Sequence, residues 1–102
     1  MSARTEQFEK LVAGDPENEL FRFSLAQALV ADGRERDAEP HYQYCIQKKA
    51  DWMMPRILLG KLLAGSRPTE ARALLESALQ LAIDQHHETP ESELRALLDT
   101  MR

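Results

Sequence analysis

The fold of this protein is decided by a stretch of sequence that occurs twice. Residues 25–46 read LAQALVADGRERDAEPHYQYCI, and residues 59–79 read LGKLLAGSRPTEARALLESAL. Apolar residues at the start of the first copy return after 34 positions, and those at its end return after 33, because the second copy lacks one residue in the turn. A period of this length is typical of stacked helix–turn–helix units rather than of one globular fold.

Large and small side chains alternate at the repeated positions. The large positions are Leu25/Leu59, Leu29/Leu63 and Tyr42/Leu75, and the small positions are Ala26/Gly60, Ala38/Ala71 and Cys45/Ala78. Small residues let two helix backbones approach closely, and large residues fill the grooves beside them. One pair of helices cannot bury both kinds of position, so the pattern predicts that pairs stack against one another.

Apolar residues follow helical spacing along the whole chain, and no segment alternates with a period of two. Glycine and proline separate six such segments. The predicted helices span about 3–13, 19–32, 35–49, 51–65 and 68–86, with a sixth that opens at Thr89-Pro90. The predicted N-caps include Ser2, Asn18 and Thr89. The sequence therefore predicts an all-α fold of six antiparallel helices joined by short turns.

These features together resemble the tetratricopeptide repeat (TPR), a helix–turn–helix unit of 34 residues. The matching residues are Leu25-Ala26, Gly33 and Ala38 in the first unit, and Leu59-Gly60, Gly65 and Ala71 in the second. The sequence departs from the family at Arg22 and Arg56, where a bulky apolar residue is usual, and at Ala50, which replaces a proline. The resemblance implies an α-solenoid that binds other proteins.

We expect a single TPR-like domain over residues 1–102 with four parts. These are an N-terminal half-repeat helix over 1–17, a first repeat over 18–51, a second repeat over 52–84 and a C-terminal capping helix over 89–102. Phe8, Leu11 and Val12 indicate the half-repeat, because they lie 34 positions before Tyr42, Cys45 and Ile46. The sequence leaves open whether the last helix caps the array or occupies its groove.

In this family the first helices of successive units line a concave groove that holds a peptide or a helix of a partner. The groove positions implied by the resemblance are Leu20, Phe23, Gln27 and Val30, then Met54, Ile57 and Lys61, with Trp52 at the lip. Apolar residues that the core does not need would mark a contact surface. The alternative is that five residues are core residues beneath the first or last helix, namely Phe23, Trp52, Met53, Met54 and Ile57. The cationic clamp that some members use for a chaperone tail is absent.

The composition favours a cytoplasmic protein and excludes several classes of partner. The formal net charge is −4, which leaves no electrostatic basis for nucleic-acid or membrane-surface binding. There is a single cysteine, so no disulfide forms within the chain. The first ten residues are polar and do not read as a signal peptide, and no apolar run is long enough to span a bilayer.

Residues with catalytic or metal-binding chemistry form no recognisable site. Asp37, His41 and Cys45 are spaced four apart, which suits a metal ion, but Cys45 occupies a small packing position and no further ligand is evident. His86 and His87 lie at a helix end, where they favourably meet the helix dipole. No phosphate-binding loop, HExxH sequence or nucleophile elbow is present. We expect no enzymatic activity, no metal and no cofactor.

The sequence therefore predicts a non-enzymatic protein-binding module that holds a peptide or helix of a partner in its groove. The alternative is a structural role by self-association, with homodimers formed through the terminal helices.

Overall fold

The structure is a computed structural model, and it describes residues 2–101. These residues form six α-helices and no strand. The helices are α1 (Ala3–Gly14), α2 (Glu19–Ala31), α3 (Glu35–Lys48), α4 (Met53–Leu63), α5 (Pro68–Asp84) and α6 (Glu88–Asp99). The chain divides into two compact units, which we call unit 1 (Met1–Ala50) and unit 2 (Asp51–Arg102).

Unit 1 is centred on α2, which packs against both α1 and α3. Ser2 and Asn18 are N-caps as predicted, because their side chains accept hydrogen bonds from the backbone N–H groups of Thr5 (3.2 Å) and Phe21 (3.0 Å). At the end of α2, Gly33 has a φ of 80°, and Arg34 N–H donates to Leu29 O at 2.8 Å. This geometry needs the left-handed region, which glycine enters without steric cost.

Unit 2 is centred on α5, which packs against both α4 and α6. Its core is a cluster of buried side chains, namely Met53, Ile57, Leu75, Ala78, Ala82 and Leu94. Partly buried side chains pack around this cluster, namely Leu79, Leu81, Leu97, Leu98 and Met101. The apolar residues of α6, Leu94, Leu97 and Leu98, are thus turned towards the core of unit 2.

All twelve repeated positions are buried, as the size pattern requires. Leu25 is 3% exposed and its counterpart Leu59 is 0% exposed, so the two leucines lie in equivalent environments. Gly60 shows why the small positions are small. A Cβ atom on Gly60 would lie 2.7 Å from the side chain of Leu75, which is closer than packed atoms tolerate.

Several helix ends differ from the predicted ones by one or two residues, and for two of them the backbone gives the reason. The helix α4 ends at Leu63 rather than at Gly65, because the Leu63 carbonyl accepts from both Ser66 N–H (3.2 Å) and Arg67 N–H (2.8 Å) and closes the turn early. Gly65 is therefore not in the left-handed region that Gly33 adopts.

The helix α6 begins at Glu88 with His87 as its N-cap, so the prediction of Thr89 as N-cap was wrong. His86 has a φ of 57°, and His87 N–H donates to Ala82 O at 2.9 Å. This bond ends α5 and places His87 at the start of α6 without a linker. Pro90 then occupies the third position of α6, where a missing N–H has little consequence.

Candidate functional site

The residues predicted to line a groove fall into two sets, one in each unit. Leu20, Phe23, Gln27 and Val30 lie on α2 of unit 1, and Trp52, Met54, Ile57 and Lys61 lie at or on α4 of unit 2. The structure therefore brings the members of each set together on one helix, and we describe the sets separately.

The α2 set leaves one apolar residue largely in solvent. Leu20 is 58% exposed, Gln27 is exposed, and Phe23 and Val30 are partly buried. The Phe23 ring meets the buried Tyr42 ring edge to face, with centroids 6.0 Å apart and an interplanar angle of 71°. Such an aromatic pair fixes the orientation of Phe23. We call these four residues the α2 face.

The α4 set lines two cavities in unit 2. Ile57 and Lys61 line the first, of about 340 Å³, together with residues of α6. Those α6 residues are Pro90, Glu93, Leu94 and Leu97. Ile57 is only 8% exposed and shares the buried cluster with Leu94. The core alternative raised by the sequence thus describes Ile57 well, since α6 lies against it.

Trp52 and Met54 line the second cavity, of about 290 Å³. The other lining residues are Asp51, Met53, Gln85, His87 and Pro90. Met54 is 44% exposed, so its side chain is available to a ligand. Because Pro90 lines both cavities, they adjoin along the space between α4 and α6. We call the two cavities together the α4–α6 trough.

Hydrogen bonds to backbone atoms hold both walls of the trough. Gln85 Nε2 donates to Asp51 O at 2.8 Å, which ties the end of α5 to the segment before α4. Arg72 on α5 donates to Met101 O at 2.7 Å, which holds the far end of α6. These bonds connect three segments, so the trough is preorganised by α5 beneath it.

The α6 residues of the trough were missed by the sequence analysis, although a signal for them exists. Pro90, Leu94, Leu97 and Leu98 lie 35 positions after Pro55, Leu59, Leu62 and Leu63. The helix α6 therefore repeats the sequence pattern of α4 at a spacing of 35 residues, one more than the 34-residue period. A search that allowed insertions in the turn would have found the second wall of the trough.

Two of the three residues in unit 1 whose spacing suits a metal ion, His41 and Cys45, have pKa values shifted by their surroundings. The Cys45 thiol is fully buried and donates to Glu19 O at 3.4 Å, and burial raises its pKa to about 11. Burial and the neighbouring Arg22 guanidinium, 3.5 Å away, lower the pKa of His41. In residues 2–101 no group of three or more His, Cys, Asp or Glu side chains is arranged to hold a metal ion.

A third cavity, of about 330 Å³, lies in unit 1 over Leu25 and Leu29. Its rim carries an ion-paired group, in which Arg34 lies 3.6 Å from Glu9 and 2.9 Å from Asp37. The Arg34 Nη1 atom is nevertheless buried without a hydrogen-bond partner among residues 2–101. Across residues 2–101, none of the helices combines the length and the apolar character that crossing a bilayer would need.

No family model matches this chain, and no curated protein sequence matches it either. Solved structures do match it, and two of them are as follows. The type III secretion translocator chaperone SycD of Yersinia enterocolitica is 18% identical, with a TM-score of 0.85 over 95% of this chain and 68% of SycD. The protein BPP2914 of Bordetella parapertussis, solved in solution, is 27% identical, with a TM-score of 0.81 over 99% of this chain and 89% of that protein. This likeness confirms the predicted fold class, an all-α helical-repeat fold of the TPR-like kind.

Proposed function

We propose that this chain is a non-enzymatic protein-binding module that takes an apolar segment of a partner protein into the α4–α6 trough. One observation carries the proposal. Trp52, Met54, Ile57 and Lys61, which the family resemblance implies as groove residues, all line two adjoining cavities with several apolar lining residues. Pockets of a few hundred Å³ with apolar walls and a few polar rim groups are the usual form of a ligand site.

The composition of the trough suits a peptide rather than a small polar substrate. Trp52, Met54 and Pro90 supply rigid and adaptable apolar surface, a combination favoured where proteins meet. The charged lining residues Asp51, Lys61 and Glu93 are exposed, so they select among partners without a large desolvation cost. In unit 1, the exposed Leu20 on the α2 face is a separate candidate contact residue.

The similar structures agree with this reading at the level of fold. SycD is described as a chaperone of a translocator, and the client of a chaperone is a protein. We extend that class of role to this chain because the trough is present in it. Membership of the TPR family, a single domain over residues 1–102 and a cytoplasmic location belong to the same proposal.

The test uses substitutions on exposed positions, because Ile57 is buried and its replacement would disturb folding. Partners are captured on the immobilised full chain, purified, and titrated by calorimetry against the wild type and Met54→Glu. A charge placed in the apolar cavity should weaken binding about tenfold or more. Leu11→Glu is the matched control, because Leu11 is 37% exposed on α1 and lines no part of the trough.

Equal affinity of the wild type and Met54→Glu would remove the trough from the proposal. Self-association through the terminal helices stays a prediction, and light scattering on the same samples tests it. A dimer that persists in Met54→Glu and dissociates in Leu11→Glu would favour the structural alternative over the binding role.

A further inference from the structure

The larger cavity of the trough carries two opposite charges on facing helices. Its apolar lining comes from Ile57, Leu94, Leu97 and Pro90, and its rim from Lys61 on α4 and Glu93 on α6. Both charged residues are exposed. Within residues 2–101 neither side chain forms a hydrogen bond or an ion pair.

The lack of partners is informative because other charges in unit 2 are paired. Arg95 lies 3.2 Å from Glu91, and Arg72 lies 3.6 Å from Glu76. Lys61 is in the last turn of α4, where a positive charge offsets the helix dipole. That interaction uses the charge of Lys61 but none of its three N–H donors, so they remain available at the cavity rim.

We propose that this cavity holds the aliphatic side chain of one anchor residue of the partner, while Lys61 and Glu93 bind the peptide group that precedes that residue. The Glu93 carboxylate accepts from the anchor N–H, and the Lys61 ammonium donates to the carbonyl of the same peptide group, which belongs to the residue before the anchor. This inference rests on the proposed function and assigns the partner segment an extended backbone at this position.

Complementarity with the peptide group is the argument for that occupant. A trans peptide group carries an N–H donor and a C=O acceptor that point in opposite directions, and burying them without partners is costly. The cavity offers a donor, Lys61 on α4, and an acceptor, Glu93 on α6, which matches this pair. A charged side chain would be attracted by one wall and repelled by the other, so the pair selects a neutral, bipolar group. The two bonds also set the direction of the segment along the trough.

The experiment uses two small probes and the full chain labelled at its methyl groups. The probes are N-acetyl-leucine N-methylamide and its analogue methylated on the leucine nitrogen, which lacks the N–H donor. Methyl spectra of Ile57, Leu94 and Leu97 are followed up to about 20 mM probe, which detects millimolar binding. The wild type should bind the analogue about three- to tenfold more weakly than the parent, the effect of one charged hydrogen bond.

Variants connect the difference to the two residues. Glu93→Ala should bind both probes equally, and Lys61→Met should bind both several-fold more weakly than the wild type while keeping the ratio between them. Glu88→Ala is the control, because Glu88 is exposed on the same helix and lines neither cavity. Circular dichroism verifies that each variant is folded.

The outcomes separate this inference from the proposed function. Probe shifts at the three methyl groups with the stated dependence on Glu93 support it. Equal binding of both probes to the wild type overturns the role of Glu93 and leaves an apolar docking site in place. If the methyl groups stay unperturbed by either probe while a captured partner still depends on Met54, the anchor cavity is overturned and partner binding in the trough is retained.

Discussion

The two units are built from the same repeat but are centred on different helices. The repeat makes α2, α4 and α6 equivalent to one another, and α1, α3 and α5 equivalent to one another. Unit 1 has α2 between α1 and α3, and unit 2 has α5 between α4 and α6. The middle helix therefore belongs to the α1/α3/α5 type in unit 2 but to the α2/α4/α6 type in unit 1. Only unit 2 contains two helices of the α2/α4/α6 type, namely α4 and α6, and their facing sides form the trough.

The units also differ in the interactions that close them. In unit 1 the buried Thr5 hydroxyl donates to Asp32 Oδ2 at 2.6 Å, and Tyr44 OH donates to Glu17 O at 3.0 Å. In unit 2, hydrogen bonds from Gln85 to Asp51 O and from Arg72 to Met101 O accompany aliphatic packing around Leu75 and Leu94. The spacing of large and small residues specifies only the distance between helices, so the hydrogen bonds that join them differ between the units.

The helix α6 departs from its equivalent α4 at one repeated position. Position 95 follows Gly60 by 35 residues and would be small if another helix packed there as α5 packs on α4. It is instead Arg95, whose side chain is 56% exposed and paired with Glu91 at 3.2 Å. The helix therefore covers α5 on one side and presents a charged surface at this position. Within unit 2 it is also the second wall of the trough.

The largest expected effect is the loss of a core side chain at equivalent positions. Leu75→Ala in unit 2 should lower the free energy of unfolding by about 2–5 kcal/mol, and Tyr42→Ala in unit 1 by a similar amount, because both side chains are almost fully buried. Urea unfolding measures it with two internal probes, namely Trp52 fluorescence for unit 2 and the reactivity of Cys45, the single cysteine, for unit 1.

Leu20→Ala is the control for this comparison and should cost less than about 0.5 kcal/mol, because Leu20 is 58% exposed. A large loss for Leu75→Ala with none for Tyr42→Ala would contradict the equivalence of the two positions.

Adding one methyl group at Gly60 should destabilise unit 2 although alanine is the better helix former. Gly60→Ala should cost about 1–3 kcal/mol, because the new Cβ lies 2.7 Å from Leu75 in a packed core. The double variant Gly60→Ala/Leu75→Ala relieves the contact, so the two losses should not add. Thermal unfolding followed by circular dichroism measures both, and simple additivity would show that the contact is not the cause.

Exchanging the residues at the two left-handed turn positions should have opposite effects. His86→Gly should stabilise unit 2 by about 0.5–1 kcal/mol, because a side chain at φ 57° is strained. Gly33→Ala should destabilise unit 1 by about 1–2 kcal/mol, because Gly33 has a φ of 80°. Chemical unfolding measures the free energy of unfolding of both variants. If neither value differed from that of the wild type, neither turn would favour glycine over a residue with a side chain.

The smallest expected effect is a pH dependence of stability that comes from the hydrogen bonds donated to Asp32 in unit 1. Hydrogen bonds from the Thr5 hydroxyl and the Ser2 backbone lower the pKa of Asp32 below its usual value. The stability that ionised Asp32 contributes is therefore complete at pH values above the usual pKa of an aspartate. It is lost as the pH falls through the lowered pKa of Asp32. Thermal melts should show the wild type more stable than Thr5→Val at neutral pH, with the difference shrinking in acid. A difference that is constant with pH would exclude ionised Asp32 as its source.

Much of the fold followed from local spacing, and the candidate site followed only in part. The repeated leucines and small residues identified the core of both hairpins, and Ser2 and Asn18 marked helix starts through their own side chains. The burial of Ile57 could not be read from α4 alone. It depends on α6, whose Leu94 reaches it through the tertiary structure.

By itself, the sequence determined the helices, which depend on neighbours three and four residues away, and the large and small positions, which return with the repeat. The candidate residues on α2 and α4 followed from the family resemblance. Only the tertiary structure decided that α4 and α6 line one trough, that Pro90 joins two cavities and that Lys61 and Glu93 line the same one. These relations join residues about 30 positions apart, and the backbone closure at His86 and His87 that sets them has no signature in composition or periodicity.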